Sequence, residues 1–171
     1  MPLDVRVAPA SLADAGEILT VQRAAYLAEA QLYGDPFIAP LVESLDQVRA
    51  VLSGDAVVLA ARHGDRLAGA VRGQFNDRTC LVGRLVVAPD LQGQGIGTRL
   101  MRALEEEVVD RADLLVIYTG HLSNLRLYRR LGYAETGRER IAAHLTLVHL
   151  RKPLRPVPAQ VSRQEPPHDH R

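Results

Sequence analysis

The stretch Gln92-Gly93-Gln94-Gly95-Ile96-Gly97 is the most informative feature of this chain. It follows an apolar run, Leu85–Pro89, and opens an amphipathic stretch, Thr98–Arg111. A strand that ends in a glycine-rich turn and feeds a helix forms a cradle for phosphate. Glycines let the backbone approach a ligand closely, and the N–H groups at the helix start point at one anion. The sequence therefore predicts a pyrophosphate site between a strand and a helix.

The spacing of the glycines separates three classes of phosphate-binding motif. A nucleotide-triphosphate loop needs Lys and then Ser or Thr after its last glycine, whereas Thr98-Arg99 follows Gly97. A dinucleotide-binding turn needs the spacing G-x-G-x-x-G, and here the third glycine is misplaced. What remains is Q-x-x-G-x-G, formed by Gln92, Gly95 and Gly97. The other reading is a glycine-rich turn that binds no ligand.

A second motif lies downstream, over residues 124–133, Asn-Leu-Arg-Leu-Tyr-Arg-Arg-Leu-Gly-Tyr. Asn124 and Tyr128 are four positions apart and therefore share one face of a helix. Gly132 is placed to end that helix in a left-handed conformation, and Tyr133 begins a strand. Taken alone, Tyr128 would be read as a half-buried core tyrosine.

Together these two motifs resemble those of the GNAT family of N-acetyltransferases, in outline over residues 3 to about 152. The resemblance implies a mixed α/β (α+β) domain over residues 1–152. Its central sheet would have seven mostly antiparallel strands, splayed between strands four and five, and about four flanking helices. The cofactor would then lie between Arg84–Val87 and Leu114–Tyr118. Residues 153–171, rich in Pro, His and Arg, are predicted to be a disordered tail.

The resemblance also implies acetyl-CoA (CoA) as cosubstrate, with no metal. The main chain of strand four would pair with the pantetheine arm, and the glycine loop would hold the pyrophosphate. Asn124 would bond the cofactor or a nearby strand end, and an arginine from the helices would meet the 3′-phosphate. Arg99, Arg129 and Arg130 are the candidates for that arginine. The predicted cofactor-binding residues are Leu85, Val86, Val87, Gln92, Gly93, Gln94, Gly95, Ile96, Gly97, Thr98, Asn124 and Arg130.

Composition narrows the class of protein. The chain has 171 residues, enough for one domain with its own core, and its net charge of +1 gives no sign of a nucleic-acid or membrane-surface binder. Cys80 is the lone cysteine, so no internal disulfide is available, and its apolar neighbours favour a structural thiol. The sequence shows neither a signal peptide nor an apolar run of membrane-spanning length. A cytoplasmic enzyme is the simplest interpretation.

The order of elements is read from periodicity, capping residues and turn residues. Residues 32–43 are predicted to be a turn-rich loop, because they contain Pro36 and Pro40. Ser44 and Gln47 predict a capping box that opens a short helix through Leu52. The other predicted helices are Asp14–Gln31, Thr98–Arg111 and Asn124–Leu131, and the predicted strands are Asp4–Ala8, Ala56–Ala61, Leu67–Phe75, Thr79–Val87, Asp113–Thr119, Tyr133–Arg140 and Ala142–Leu150.

Acetyl transfer to an amine first requires that the amine lose a proton. An alkylamine has a pKa near ~10.4, which sets roughly 4–5 kcal/mol against the reactive form at neutral pH. Many members of the family place a Glu on strand four, whereas residues 81–87 here contain no carboxylate. The base is therefore left open. The candidates are Glu29, Tyr26, Asp35, Glu43, His121 and His144, with Glu29 and Glu43 favoured as carboxylates that attract a cationic amine.

The remaining steps are assigned from the resemblance. A bulge at the end of strand four would free a backbone N–H, that of Val87, for the thioester oxygen. Tyr128 would donate a proton to the departing sulfur as general acid. Transfer from a phenol to a thiolate is uphill by about 2 kcal/mol, so a strong hydrogen bond is an alternative to full transfer.

The acceptor is predicted to be a primary amine of a small molecule or peptide, bound by Tyr26 and Glu43 on the variable first third of the chain. The acidic and aromatic residues of this first third favour a small cationic amine over an amine that carries a carboxylate. Two rival readings stay open: an enzyme that uses a longer acyl-CoA, and a non-catalytic CoA-binding sensor or interaction module. The sequence does not fix the oligomeric state, and the resemblance makes a homodimer one expectation.

Overall fold

The computed structural model describes residues 3–120 and 124–154. Within these ranges there are seven strands and five α-helices, plus 3-10 turns at Leu12–Asp14 and Pro89–Leu91. The helices are α1 (Ala15–Tyr33), α2 (Ala39–Val42), α3 (Leu45–Ser53), α4 (Ile96–Val108) and α5 (Leu125–Arg130). The strands are β1 (Arg6–Pro9), β2 (Val57–His63), β3 (Arg66–Asn76), β4 (Thr79–Val87), β5 (Leu114–Thr119), β6 (Ala134–Ala142) and β7 (Leu145–Pro153).

All seven strands form one sheet in the order β1-β2-β3-β4-β5-β7-β6. The β4–β5 pair is parallel and every other pair is antiparallel. The parallel pair is short, because Thr79–Val82 faces Leu114–Ile117 and the pairing stops there. Past this point β4 continues as Gly83–Val87 while β5 stays with β7. The predicted fold class and the splay are confirmed.

Two details of the sequence prediction are wrong. The opening begins beyond Ile117, so Leu114–Val116 belongs to the paired part of the sheet rather than to the gap. The segment 32–43 is not all loop, since α1 runs to Tyr33 and α2 adds a turn. Pro40 lies in the first turn of α2, where a proline ring is tolerated because no intrahelical N–H bond is lost.

Local signals place the ends of the first helices. Ser11 N–H donates to the Asp14 carboxylate over 2.8 Å at the turn that precedes α1. Gly34 ends α1 in the left-handed conformation, at φ +64°. The predicted capping box of α3 is present, with Gln47 N–H donating to Ser44 Oγ and Ser44 N–H to Gln47 Oε1. These signals fix where α1 ends and where α3 begins.

The core has two parts, one on each face of the sheet. Leu100, Leu104 and other apolar residues of α4 pack on one face, and Ile18 of α1 and Val48 of α3 pack on the other. A β-carbon on Gly73 would lie 2.7 Å from Cys80 Sγ, so glycine is needed there for close packing under α4. Burial raises the pKa of the Cys80 thiol to about 11, in keeping with a structural role.

A bulge in β4 exchanges the faces of the strand. Ala70 pairs with Val86 but Arg72 pairs with Gly83, so β4 carries one extra residue in this interval. Val82 accordingly packs on the α4 side, whereas Val86 packs on the side of α1 and α3. Arg84, inside the bulge, has φ +50°. A left-handed conformation in a residue other than glycine costs on the order of 1–3 kcal/mol.

Candidate active site between the splayed strands

A cavity of about 620 Å³ lies where β4 parts from β5 and α4 begins. All the predicted cofactor-binding residues except Gln94 line this cavity. The sequence prediction missed four lining residues, which come from α1, α5 and the turn before the glycine loop: Ala25, Ala28, Leu91 and Leu127. Tyr26, which the sequence prediction assigned to the acceptor, also lines this cavity. The cavity therefore brings together two motifs that are about thirty residues apart in the chain.

The glycine loop presents backbone donors to this cavity. Gly93 and Gly95 have φ values of +78° and +81°, which glycine adopts without a steric penalty. Gly95 is the N-cap of α4, and no side chain caps the first N–H groups of this helix. The first N–H groups of a helix have no acceptor within the helix, and they carry its positive end. Arg130 lines the same cavity. The arrangement suits a di-anionic phosphate group.

The end of β4 offers a free strand edge to the same cavity. Ala88 N–H donates to Ala68 on β3 over 2.8 Å, which puts Val87 at a position that does not bond to β3. The Val87 carbonyl instead accepts from Gln92 Nε2 at 3.2 Å. Because the N–H and C=O of one strand residue point the same way, the Val87 N–H faces the opening. Gln92 thus fixes the strand edge as well as lining the cavity.

A second cavity, of about 320 Å³, lies on the other side of the opening. It is lined by the C-terminal half of α1, the segment 35–40, the bulge of β4 and the ends of β5 and β7. Tyr26, Leu85 and Asn124 line both cavities. The two cavities therefore meet at the start of α5, beside Tyr128, which lines the second one.

Tyr128 is buried at this meeting point, with 5% of its surface exposed. Burial raises the pKa of its phenol well above the ordinary value of 10, and the nearby Tyr26 and Glu29 act in the same direction. A side-chain hydrogen bond with Asn124 opposes the shift. The phenol is therefore protonated at any physiological pH. The predicted pairing of Asn124 and Tyr128 on one helix face is present.

Glu29, Tyr33 and Gly120 form one corner of the second cavity. Tyr33 donates its hydroxyl to the Gly120 carbonyl over 2.5 Å. Burial and the Glu29 carboxylate, which also bonds to the hydroxyl, raise the pKa of Tyr33. A β-carbon on Gly120 would lie 3.3 Å from the Tyr33 hydroxyl and 3.6 Å from Glu29 Oε1, so the Gly120 backbone packs directly against this pair. Glu29 is thus a buried carboxylate in the second cavity.

The sequence prediction missed Tyr33, although a signal for it was present. Tyr26, Glu29 and Tyr33 are spaced by three and four positions, which places them on one face of a helix. Because the predicted helix ended at Gln31, Tyr33 fell into the loop. Tyr26 itself lines both cavities. Burial raises its pKa to about 12, although the charge of Arg84 acts in the opposite direction.

Glu43 lies elsewhere than predicted, outside the lining of both cavities. Arg72 donates to both of its oxygens, over 3.0 and 2.8 Å, and Gln22 donates to one of them over 3.1 Å. Burial acts to raise the pKa of Glu43, but these hydrogen bonds and the Arg72 and Arg84 charges hold it below its ordinary value. The Glu43 carboxylate is thus engaged by Arg72 and Gln22 within the protein, away from the lining of the second cavity.

The other candidate residues are distributed as follows. Asp35 lines the second cavity and accepts a hydrogen bond from Phe37 N–H at 2.8 Å. The His144 ring packs against Tyr33, with 5.7 Å between centroids. Arg129 pairs with Glu135 at 3.2 Å, which leaves Arg130 as the cavity-lining arginine of α5. His121 and the tail from residue 155 lie outside the described residues.

The seven-stranded sheet opens where the parallel strands β4 and β5 separate, and the glycine-rich start of α4 lies at this opening. This is the architecture that the resemblance to acetyltransferases implied. A family model described as an acetyltransferase (GNAT) domain matches residues 26–154. The chain therefore belongs to the GNAT acetyltransferase family, as the sequence motifs predicted.

Solved structures share this fold at low sequence identity. Ribosomal-protein-S18-alanine N-acetyltransferase from Escherichia coli superposes with a TM-score of 0.74 at 15% identity, covering 92% of this chain and 99% of its own. Aminoglycoside 6′-acetyltransferase type Ii gives 0.71 at 22%, covering 90% and 99%. The Salmonella typhimurium protein yncA, solved with its cofactor acetyl-CoA, gives 0.72 at 20%, covering 91% and 96%. At these identities the likeness establishes the fold.

Two negative findings apply to residues 3–120 and 124–154. None of the helices in these ranges is both long and apolar enough to cross a membrane. The same residues contain no group of three or more His, Cys, Asp or Glu side chains that is placed to hold a metal ion.

Proposed function

We propose that this protein is an acetyl-CoA-dependent N-acetyltransferase that acts on a primary amine. The observation that carries the proposal is the meeting of two cavities at Tyr26, Leu85 and Asn124. One cavity has backbone donors for phosphate, and the other has a buried carboxylate and a protonated phenol. A cosubstrate and an acceptor that enter from opposite sides meet beside Tyr128.

The first cavity fits the cosubstrate along its length. The free edge of β4 at Leu85 and Val87 can pair with the amides of the pantetheine arm as an added strand would. The backbone from Gln92 to Thr98 can hold the pyrophosphate at the start of α4, and Arg130 adds a positive charge. Bound there, acetyl-CoA supplies a thioester, whose C–S bond breaks as the amine nitrogen bonds to the acetyl carbon.

Glu29 is the residue proposed to take the amine proton. Deprotonation of an alkylamine at neutral pH costs roughly 4–5 kcal/mol, and a base placed at the amine lowers that barrier. Glu29 lines the acceptor cavity and acts electrostatically on Tyr128, so it lies near the reacting end of the cavity. It stands in for the carboxylate that many members of the family carry on strand four.

Two further groups complete the proposed site. The Val87 N–H faces the opening and is placed to donate to the thioester oxygen as negative charge develops on it. Tyr128, protonated and buried, is placed to donate its proton or a hydrogen bond to the departing sulfur. Tyr26 lies between the two ligands because it lines both cavities.

A thiol-release assay with acetyl-CoA and a panel of primary amines tests the proposal. We expect amine-dependent release of CoA and formation of the N-acetyl product, with Glu29→Gln reducing the rate while acetyl-CoA affinity is retained. Asp46→Asn, on the exposed outer side of α3, is the control for loss of one carboxylate. Tight CoA binding without release for any amine would contradict the proposal and favour a sensor. Faster turnover with butyryl-CoA would favour the longer acyl donor.

A further inference from the structure

The second cavity carries an unusual cation in its wall. Among the described residues that line it, Arg84 is the one with a permanent positive charge. Arg84 lies on β4, the strand on which many family members place a Glu. Its left-handed backbone, at φ +50°, is sterically unfavourable for arginine. Backbone strain of this kind is concentrated at active sites and ligand-binding positions.

The charge of Arg84 is not balanced by its ion-pair partner. Glu43 lies 3.7 Å from Arg84 Nη2, which is beyond hydrogen-bond distance, and Arg72 already bonds to both Glu43 oxygens. Two guanidinium groups thus share one carboxylate, so this group carries one net positive charge. Arg84 Nε is buried and has no hydrogen-bond partner. One carboxylate from a ligand would neutralise the excess charge and bind the guanidinium.

The rest of the cavity completes the description of the ligand. Glu29, on α1, and Asp35 provide negative charges in the lining, and the charges of Glu29 and Arg84 both reach the Tyr26 phenol, which lies in the same wall. Much of the remaining lining is apolar: Ile38, Pro40, Val82, Ile117, Leu145 and Leu147. Its volume of about 320 Å³ suits a small molecule.

We propose that the acceptor is an α-amino acid with an apolar side chain, whose carboxylate binds Arg84 while its amino group faces Glu29 and Tyr128. This rests on the proposed function and narrows its substrate. It also reverses the sequence-based preference for an amine without a carboxylate. The products are the N-acetyl amino acid and CoA. The bound ammonium first loses one proton through Glu29 to solvent, and the free amine attacks. As the C–N bond forms and the C–S bond breaks, the nitrogen gives a second proton to Glu29, the sulfur gains one from Tyr128, and the proton on Glu29 restores the phenol.

The test compares L-leucine with isoamylamine, the same molecule without its carboxylate, in wild-type protein and in Arg84→Asn. Asparagine removes the charge and tolerates the left-handed backbone. We expect kcat/KM, per unprotonated amine, to favour L-leucine by about tenfold or more in the wild type. Arg84→Asn should reduce that preference to within about twofold, mainly through KM. Arg49→Asn removes a charge outside the cavity and should retain the preference.

A binding measurement tests, independently of turnover, whether Arg84 binds the carboxylate of the acceptor. Calorimetric titration of L-leucine into the CoA-loaded protein should show binding that isoamylamine lacks and that Arg84→Asn loses. Equal or better acetylation of isoamylamine, or a preference that survives Arg84→Asn, overturns the amino-acid proposal and leaves the acetyltransferase standing. Absence of turnover with every amine contradicts the proposed function instead, and the calorimetric titration then decides by itself whether Arg84 binds the carboxylate.

Discussion

Arg72 and Glu43 form a buried, two-pronged ion pair, with Nη1–Oε2 at 3.0 Å and Nη2–Oε1 at 2.8 Å. Only 8% and 12% of their side-chain surfaces are exposed. The pair joins β3 to the segment between α2 and α3, and Arg84 of the β4 bulge lies beside it at 3.7 Å. The wall of the second cavity is therefore supported by an ion pair whose two residues lie outside the lining of that cavity.

Removing one charge from this pair should destabilise the protein. Glu43→Gln leaves two guanidinium groups without their shared carboxylate, and the loss of one member of a buried pair costs about 3 kcal/mol. Urea unfolding at pH 7 measures the change in the free energy of unfolding. Asp46→Asn, whose ion pair with Arg49 is exposed, should change it by less than about 0.5 kcal/mol. Equal effects of the two variants would contradict a structural role for Glu43.

The same pair gives a pH dependence with a definite sign. The folded protein holds the pKa of Glu43 below its ordinary value of 4.5, so the unfolded chain binds the proton more readily. The stabilisation is therefore complete above about pH 4.5 and is lost as pH falls through the lower, folded value. The difference between wild type and Glu43→Gln should shrink when unfolding is measured below that value. A difference that grows in acid would show that the sign is wrong.

Tyr128→Phe should reduce turnover without weakening acetyl-CoA binding. It removes the proposed proton donor at the meeting point of the cavities, and loss of a general acid typically costs roughly a hundredfold in rate. Because burial raises the pKa of Tyr128 above 10, its ionisation should not lower the rate at any pH up to 10. Stopped-flow or steady-state kinetics from pH 6 to about pH 10 measure both effects.

The neighbouring Tyr133 provides the matched control for Tyr128. Its hydroxyl donates to Glu105 at 3.3 Å and its ring lies 6.0 Å from that of Tyr128, but it lines neither cavity. Tyr133→Phe should therefore change stability and leave turnover close to that of the wild type. Unchanged turnover in Tyr128→Phe would remove the phenol from the mechanism.

Gly95→Ala should weaken CoA binding by more than it weakens the fold. Both Gly95 (φ +81°) and Gly64 (φ +59°) adopt left-handed backbones, and a β-carbon on either would meet nothing within 4 Å. Each alanine variant should therefore lose about 1 kcal/mol of stability. Only Gly95 lies in the phosphate cradle, so only Gly95→Ala should raise the Kd for CoA, by tenfold or more. Calorimetry on both variants checks this, and parallel losses of affinity would exclude a specific cradle.

The backbone at Arg84 should be strained, and substitution by glycine should relieve that strain. Arg84→Gly and Arg84→Ala both remove the guanidinium, so their difference reports the backbone at φ +50°. We expect the glycine variant to be more stable than the alanine variant by about 1 kcal/mol in chemical unfolding. An alanine variant as stable as the glycine variant would mean that the backbone at Arg84 relaxes.

The sequence was most informative where the determinants are local. The strand, glycine turn and helix around Gln92–Gly97 follow from adjacent residues, and their geometry is as predicted. Glu43 was misassigned because its partner Arg72 is 29 positions away, and no local pattern reports such a pair. The bulge at Arg84 depends on the register between β3 and β4, which is also a tertiary property. Tyr33 fell outside the predicted α1 by two residues, a typical error for a helix end.

The proposed phosphate site is tested by a calorimetric comparison of acetyl-CoA with S-acetylpantetheine, which has the thioester and the arm but lacks the pyrophosphate and the adenosine 3′-phosphate attached to it. If the backbone amides at the start of α4 hold the pyrophosphate, acetyl-CoA should bind one-to-one and at least about a hundredfold more tightly. Equal affinities for the two thioesters, or no binding of acetyl-CoA, would contradict the account.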